Sequence, residues 1–381
     1  MIHAARNTTP RIQAAGGVRT LTFDASAPLQ LSSGAMLSPF TMAFETYGAL
    51  NGAKSNAVLV CHPLTGDQFV ASPNPMSGRP AWWPRIVGPG RPIDTNRFFV
   101  ICANVLGGCM GTSGPTSQGP HGLPYGLKFP PISIADIVRA QAMLVEALGI
   151  QRLFLVIGPE FGGMQALQWA SAYPKRVFAC AAIACAAQRS AQNIALNELG
   201  RQAIMADPDW RGGEYLARGV RPVKGFAVAR LAVQLAGEER ATLEGKVARL
   251  QAGAEKLAPA AYDEPGFIDR FDANSFLYLT RALDHFDLAA DFGGQLGNAF
   301  KDVATRMCVF AASSDWRYPP EEARTIVRGL IAAGADASYV ETESEKGHGA
   351  FFGEELAFET ALTGFIDAAA AARELALQGD E

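Results

Sequence analysis

The sequence has no apolar run long enough to cross a bilayer, and Met1 to Thr20 lacks the hydrophobic stretch of a secretory signal. Those two absences leave the cytoplasm as the expected address. There is no basic stripe either: 33 Lys and Arg are scattered among 37 Asp and Glu, for a net charge of -4. Nucleic acid and anionic membrane are therefore not expected partners. Cysteine is sparse. The six residues, Cys61, Cys102, Cys109, Cys180, Cys185 and Cys308, mostly sit in apolar runs such as VLVCHPL, and none are clustered at metal-ligand spacing. They read as reduced core residues, with no metal and no resident cofactor expected. What is plentiful is apolar: 49% of the 381 residues are hydrophobic and 18% charged, which suits a globular protein with a large core and room for an inserted subdomain.

Short apolar runs alternate with helical patterns, the signature of a largely parallel sheet covered by helices. Asn56 to Cys61, Arg97 to Ala103, Leu153 to Ile157, Val177 to Ile183 and Val303 to Ala311 are the candidate buried strands. Between the second and third, Ile134 to Leu148 repeats at helical spacing and Gly149 closes the helix. From Ser190 to Asp291 the chain is rich in Ala, Leu, Arg and Glu at helical spacing, with breaks at Asp207-Pro208 and Arg221-Pro222. This predicts a helical cap over 188–297 inserted into a core made of 1–187 and 298–381. A helix at Glu321 to Ala333, a strand at Ala337 to Glu343 and a C-terminal helix follow, with the Ala-rich tail from Asp367 expected to fray.

The segment LFLVIGPEFGGMQALQWA, 153–170, carries the most chemistry. An apolar strand runs through Gly158-Pro159-Glu160-Phe161-Gly162-Gly163 straight into a helix. Small residues two before and two after the centre let strand and helix approach closely, as in the G-x-S-x-G nucleophile elbow of the α/β-hydrolase fold, here with Glu where Ser belongs. Taken alone, the same pattern fits an ordinary loop whose carboxylate is favoured by the helix dipole. Two later segments decide for the elbow. Asp315 follows the buried strand Val303 to Ala311, and His348 lies in a loop after the last strand, so that elbow, Asp and His stand in the order this fold uses. The segment CHPLTGD, 61–67, follows an early strand and would supply an oxyanion-hole N–H from Leu64, with the second from Phe161. His62 is expected to pack beneath that loop.

Over roughly 40–366 these residues resemble the homoserine O-acetyltransferase family, through FETYGALN, CHPLTGD, VICANVLGGCMGTSGPTS, GGMQALQWA, RSAQNIALNELGRQAIMADPDW, FDANSFLYLTRALDHFD and SDWRYPPE. The resemblance implies the α/β-hydrolase fold and a two-step acyl transfer from acyl-CoA to homoserine, with serine as nucleophile, histidine as base and aspartate orienting it. Asp315 and His348 match that aspartate and histidine; Glu160 falls on the serine. Two substrate contacts also differ. Gln188, followed by Arg189, stands where the family has an arginine for the substrate carboxylate, and Gly349 stands where an aspartate helps hold the amino group. Losing a buried Arg-carboxylate pair costs on the order of 2 to 5 kcal/mol of binding, which counts against homoserine. By the same resemblance, Tyr278 and His285 would line the cap side of the site and the cap helices would pair two subunits into a homodimer; Trp82-Trp83 are expected to pack, as aromatics at such a position more often do.

Three roles stay open for Glu160. It could attack an alkyl carbon, with His348 then directing water at the resulting ester, and so make the protein a hydrolase. It could take an acyl group from a thioester as a mixed anhydride, with acyl-CoA as co-substrate. It could instead form an ion pair with His348, whose protonated ring would suit acid catalysis or a site that binds a ligand without turning it over.

Overall fold

The computed structural model describes residues 12–15, 17–120, 122–235 and 266–375. Part of the expected cap, 236–265, lies outside them, as do Met1 to Arg11 and the chain beyond Leu375. Nine strands form one sheet: β1 (Ile12–Ala15), β2 (Val18–Phe23), β3 (Phe40–Tyr47), β4 (Ala57–Val60), β5 (Phe99–Ala103), β6 (Leu153–Pro159), β7 (Val177–Ile183), β8 (Arg306–Ala312) and β9 (Ala337–Thr342). Their spatial order is β1-β2-β3-β5-β4-β6-β7-β8-β9. From β5 to β9 every neighbouring pair is parallel, whereas β1, β2 and β3 pair antiparallel and join the sheet at β5.

The central strands were legible because both faces are covered. Every residue of β4 and β6 is buried, so each reads as an unbroken apolar run. β2, by contrast, alternates buried and exposed positions at the sheet's edge. That half-solvated pattern hides β2 from a search for continuous apolar runs. Helices α1 (Ile134–Ala147) and α2 (Phe161–Ala172) cover one face, where the larger apolar cluster lies, and α8 (Leu356–Ala372) packs on the other. The start of α1 is fixed by a capping box: Ser133 accepts from the Asp136 N–H while Asp136 accepts from the Ser133 N–H.

Between β7 and β8 the described chain is helical: α3 (Ala191–Ala206), α4 (Val223–Leu235), α5 (Phe267–Arg270) and α6 (Ala273–Asp284), with short 3-10 turns between them. After β8 comes α7 (Pro320–Ala332). One expectation is corrected: α8 does not fray from Asp367. It continues to Ala372 because Ala369 and Ala370 are buried against the sheet. Among the described residues no helix is long and apolar enough to cross a membrane.

The C-terminal ends of β4, β6, β8 and β9 open on one edge of the sheet. The loops leaving them carry Leu64, Glu160, Asp315 and His348, the position at which open α/β sheets build their sites.

Candidate functional site

Glu160 sits on the bend between β6 and α2 with φ 55° and ψ -117°, a backbone region that costs a non-glycine residue on the order of 1–3 kcal/mol. Packing enforces the bend. A Cβ on Gly162 would stand 2.0 Å from the Cys61 carbonyl oxygen, and one on Gly158 would stand 2.5 Å from that same atom. Only glycine lets β4, β6 and α2 converge so tightly. The Glu160 N–H donates to the Ile183 carbonyl at 2.9 Å, which locks the bend to β7.

The Glu160 carboxylate is buried and held at both oxygens. Oε1 lies 2.7 Å from Nη2 of Arg317, and Oε2 accepts from the Leu64 N–H at 3.2 Å. Burial would push this carboxyl's pKa up; the charge of Arg317, followed by His348, the Leu64 N–H and Arg189, outweighs it and holds the pKa below the ordinary range. For Arg317 the balance is mirrored: burial alone would lower its pKa, and the facing Glu160 raises it. Both groups are therefore ionised at neutral pH. Of the roles open to Glu160, the ion pair is formed, with Arg317 and not His348 as the partner at 2.7 Å. The sequence reading had left the Leu64 N–H vacant for a substrate oxygen, whereas Glu160 itself occupies that donor.

Arg317 was missed, although SDWRYPPE had been singled out. A buried carboxylate at the end of β6 needs a counter-charge, but nothing local in the sequence marks Arg317 as the residue that supplies it. The Arg317 backbone is fixed from α3, where Ser190 caps the helix and the Asn193 amide donates to the Arg317 carbonyl at 2.7 Å.

Asp315 and His348 come together as expected. Nδ1 of His348 donates to Asp315 Oδ2 at 2.8 Å, and Asp315 Oδ1 accepts the N–H groups of Arg317 and Tyr318, both at 2.9 Å. With Nδ1–H committed to a carboxylate, Nε2 is the ring's free acceptor. It is buried with no hydrogen-bond partner among the described residues. The ring is flanked by Tyr318 at 5.3 Å and Phe352 at 6.1 Å.

Glu160, Arg317 and His348 line one cavity of about 580 Å³, together with Trp82, Arg230 and Phe352. Trp82 thus faces the cavity while stacking on Trp83, and Trp83 is buried, giving its Nε1–H to the Phe351 carbonyl at 2.7 Å. His62 packs beneath the 61–67 loop as expected: its Nε2 accepts from the Val105 N–H at 3.1 Å, and burial lowers its pKa.

The remaining predicted contacts need correction. Gln188 is exposed and donates to Asp287 at 2.9 Å, outside the cavity. Arg189, the neighbouring candidate for the substrate, turns inward but does not line the cavity. Its side chain is buried, bonded to the Tyr318 hydroxyl and 3.9 Å from Asp284. Tyr278 spends its hydroxyl on the Leu127 and Phe129 carbonyls, at 3.0 and 2.5 Å, and does not line the cavity. His285 is exposed at the end of α6 and is likewise absent from the lining, because the helix has stopped burying that face.

Comparison with known proteins agrees with this architecture. The family model described as the α/β hydrolase fold matches residues 56–355. A homoserine O-acetyltransferase of Mesorhizobium japonicum is 52% identical over 93% of this chain and 94% of its own length, and one of Caulobacter vibrioides is 52% identical over 94% and 97%. Among solved structures, a homoserine O-acetyltransferase from Bacillus anthracis superposes with a TM-score of 0.81 at 28% identity, covering 93% of this chain and 98% of that one. Esterase E22 superposes with a TM-score of 0.79, also at 28% identity, covering 93% and 100%. The chain belongs to the homoserine O-acetyltransferase family of the α/β-hydrolase fold.

Proposed function

We propose that this protein is a hydrolase in which Glu160 is a carboxylate nucleophile and His348, oriented by Asp315, activates the water that releases the product. The observation that carries the reading is the setting of the Glu160 carboxylate: on the strained bend, kept ionised by Arg317, one oxygen against the Leu64 N–H, and in the same cavity as His348 Nε2. An un-neutralised buried carboxyl would take up a proton and lose its nucleophilicity. Arg317 prevents that. The bond to Leu64 then becomes useful in the second step. When water attacks the glutamyl ester, negative charge develops on the ester's carbonyl oxygen, which is where the Leu64 N–H already points and where the Phe161 N–H would add a second donor.

The first step forms an ester between Glu160 and an electrophilic carbon as its leaving group departs. In the second, water adds to the Glu160 carbonyl carbon while His348 Nε2 takes its proton; collapse frees the alcohol and restores the carboxylate. The test is a trap. His348→Gln should accumulate a substrate-derived mass adduct on the peptide containing Glu160, and Glu160→Gln should abolish both adduct and turnover. No adduct with esters, thioesters or alkyl halides would support a ligand-binding homologue without turnover.

A second reading, acyl transfer, is favoured by the relatives at 52% identity, whose name is homoserine O-acetyltransferase. Glu160 would then carry the acyl group as a mixed anhydride taken from acyl-CoA. Acetylation of an added alcohol, with no release of acetate, separates it from hydrolysis. Gln188 lying outside the cavity still argues against homoserine as that alcohol.

A further inference from the structure

The loop 61–67 leaves β4 and faces the cavity at Pro63, Thr65 and Gly66. It carries the Leu64 N–H, which meets Glu160 Oε2 at 3.2 Å. That is the long end of the usual range of about 2.7–3.2 Å, so a small displacement of Leu64 loses the contact. On the core side the loop is held by local bonds: the Gly66 N–H donates to the Pro63 carbonyl at 2.9 Å, and His62 Nδ1 donates to the same carbonyl at 2.8 Å. On the other side it meets the cap.

Arg270, the last residue of α5, makes that contact. Its Nη2 donates to the Thr65 carbonyl at 2.7 Å, and its Nη1 lies 3.8 Å from Asp67 Oδ2. The two side chains are only 2 and 8% exposed, so solvent screens the pair little. The guanidinium stacks against Phe267 and Phe271, 5.4 and 5.9 Å from their ring centres, which fixes the direction in which it points. Asp67 is fixed in turn. Its Oδ1 accepts the Phe69 N–H and its Oδ2 the Asn74 amide, both at 2.9 Å, while its carbonyl accepts the indole N–H of Trp82, a wall of the cavity, at 2.9 Å. A bond from a charged donor is about twice as strong as one between neutral groups. A buried guanidinium cannot exchange its acceptor for water without leaving its slot, so loop and α5 are tied together.

We propose that Arg270 is a positioning residue: from the cap it clamps the 61–67 loop at Thr65 and Asp67, and so aims the Leu64 N–H at the Glu160 carboxyl. Arg270 does not line the cavity and acts only through the loop. The Leu64 donor is therefore in register only while α5 is docked, which makes the site's geometry depend on the cap. The role is the same for hydrolysis and for acyl transfer, since both develop negative charge where Leu64 points.

The test is hydrogen exchange of the ligand-free full chain, resolved to single amides, which needs no turnover. Arg270→Met removes the charge and the donors while keeping an unbranched stem between the two rings. It should speed exchange of the Leu64 N–H at least about tenfold, with β4 and β6 keeping their protection. Arg270→Lys retains the charge opposite Asp67 and a donor for Thr65, so it should rescue part of the protection. Ile204→Ala, a buried lesion in α3 that leaves Arg270 in place, is the control for a merely weakened cap and should leave Leu64 close to its original rate. Unchanged protection at Leu64 in Arg270→Met, or in Arg270→Lys should the Met variant not fold, overturns the clamp. So does an equal acceleration in Ile204→Ala. The nucleophile is judged separately, by the adduct on Glu160, so either idea can fail while the other stands.

Discussion

At the scale of residues, Glu160 and Arg317 work only as a pair. Each side chain is 5 to 6% exposed, and each has its pKa moved toward the charged form by the other against the pull of burial. Removing one partner strands a buried charge, which typically costs about 3–5 kcal/mol, whereas replacing both with neutral groups of similar volume is often near neutral. Arg317→Met should therefore destabilise the protein by about that much in urea unfolding. Adding Glu160→Gln to it should restore most of the loss, giving a coupling energy well above about 1 kcal/mol in a double-mutant cycle. Additive single effects would mean that the two side chains do not meet in solution.

At the scale of elements, the bend between β6 and α2 depends on what stands beside it. Gly162→Ala would drive a Cβ to 2.0 Å from the Cys61 carbonyl oxygen, and backbone cannot yield as a side-chain tip can. Loss of soluble protein, or a fall in the thermal midpoint of at least about 3 °C, is expected from strain and overpacking at such a site. Gly364 in α8 is the control: a Cβ there meets nothing within 4 Å, so Gly364→Ala should stabilise by about 0.5–1 kcal/mol. Equal effects of the two alanines would show that the bend is not held by close approach. The same bend shows what a sequence can disclose. β6, the glycines around Glu160 and the start of α2 are contiguous and leave a pattern of small and apolar residues, so both bend and sheet were legible. The Asp315 and His348 loops were legible through their order along the chain. Arg317 was not, since its meaning comes from a contact with a distant loop and nothing local to YPP marks the arginine as buried. Which of Gln188 and Arg189 turns inward was not legible for a related reason: it is set by the strand's exit geometry, and here the inward one, Arg189, bonds to the Tyr318 hydroxyl.

At the scale of the whole molecule, the buried pair should be visible in the dependence of stability on pH and salt. Glu160 has a folded pKa below its unfolded value of about 4.3, so the stability it contributes is present above that pH and is lost as pH falls through the lower, folded value. Glu160→Gln has no such titration. The gap in thermal midpoint between the two proteins should be widest at neutral pH and close on acidification below about pH 4. Other carboxylates with lowered pKa, Glu198, Glu321 and Glu341, belong to both proteins and cancel in the difference. Salt separates the buried pair from the surface. Exposed pairs such as Arg328–Glu321, with side chains 61 and 62% exposed, weaken as ionic strength rises, whereas a pair closed off from solvent is screened far less. The gap at neutral pH should therefore persist at about 1 M sodium chloride, where the Debye length is about 3 Å. A gap that vanishes with salt, or that ignores pH, would place the Glu160 carboxylate in open solvent and remove the physical basis for treating it as a charged, protected nucleophile.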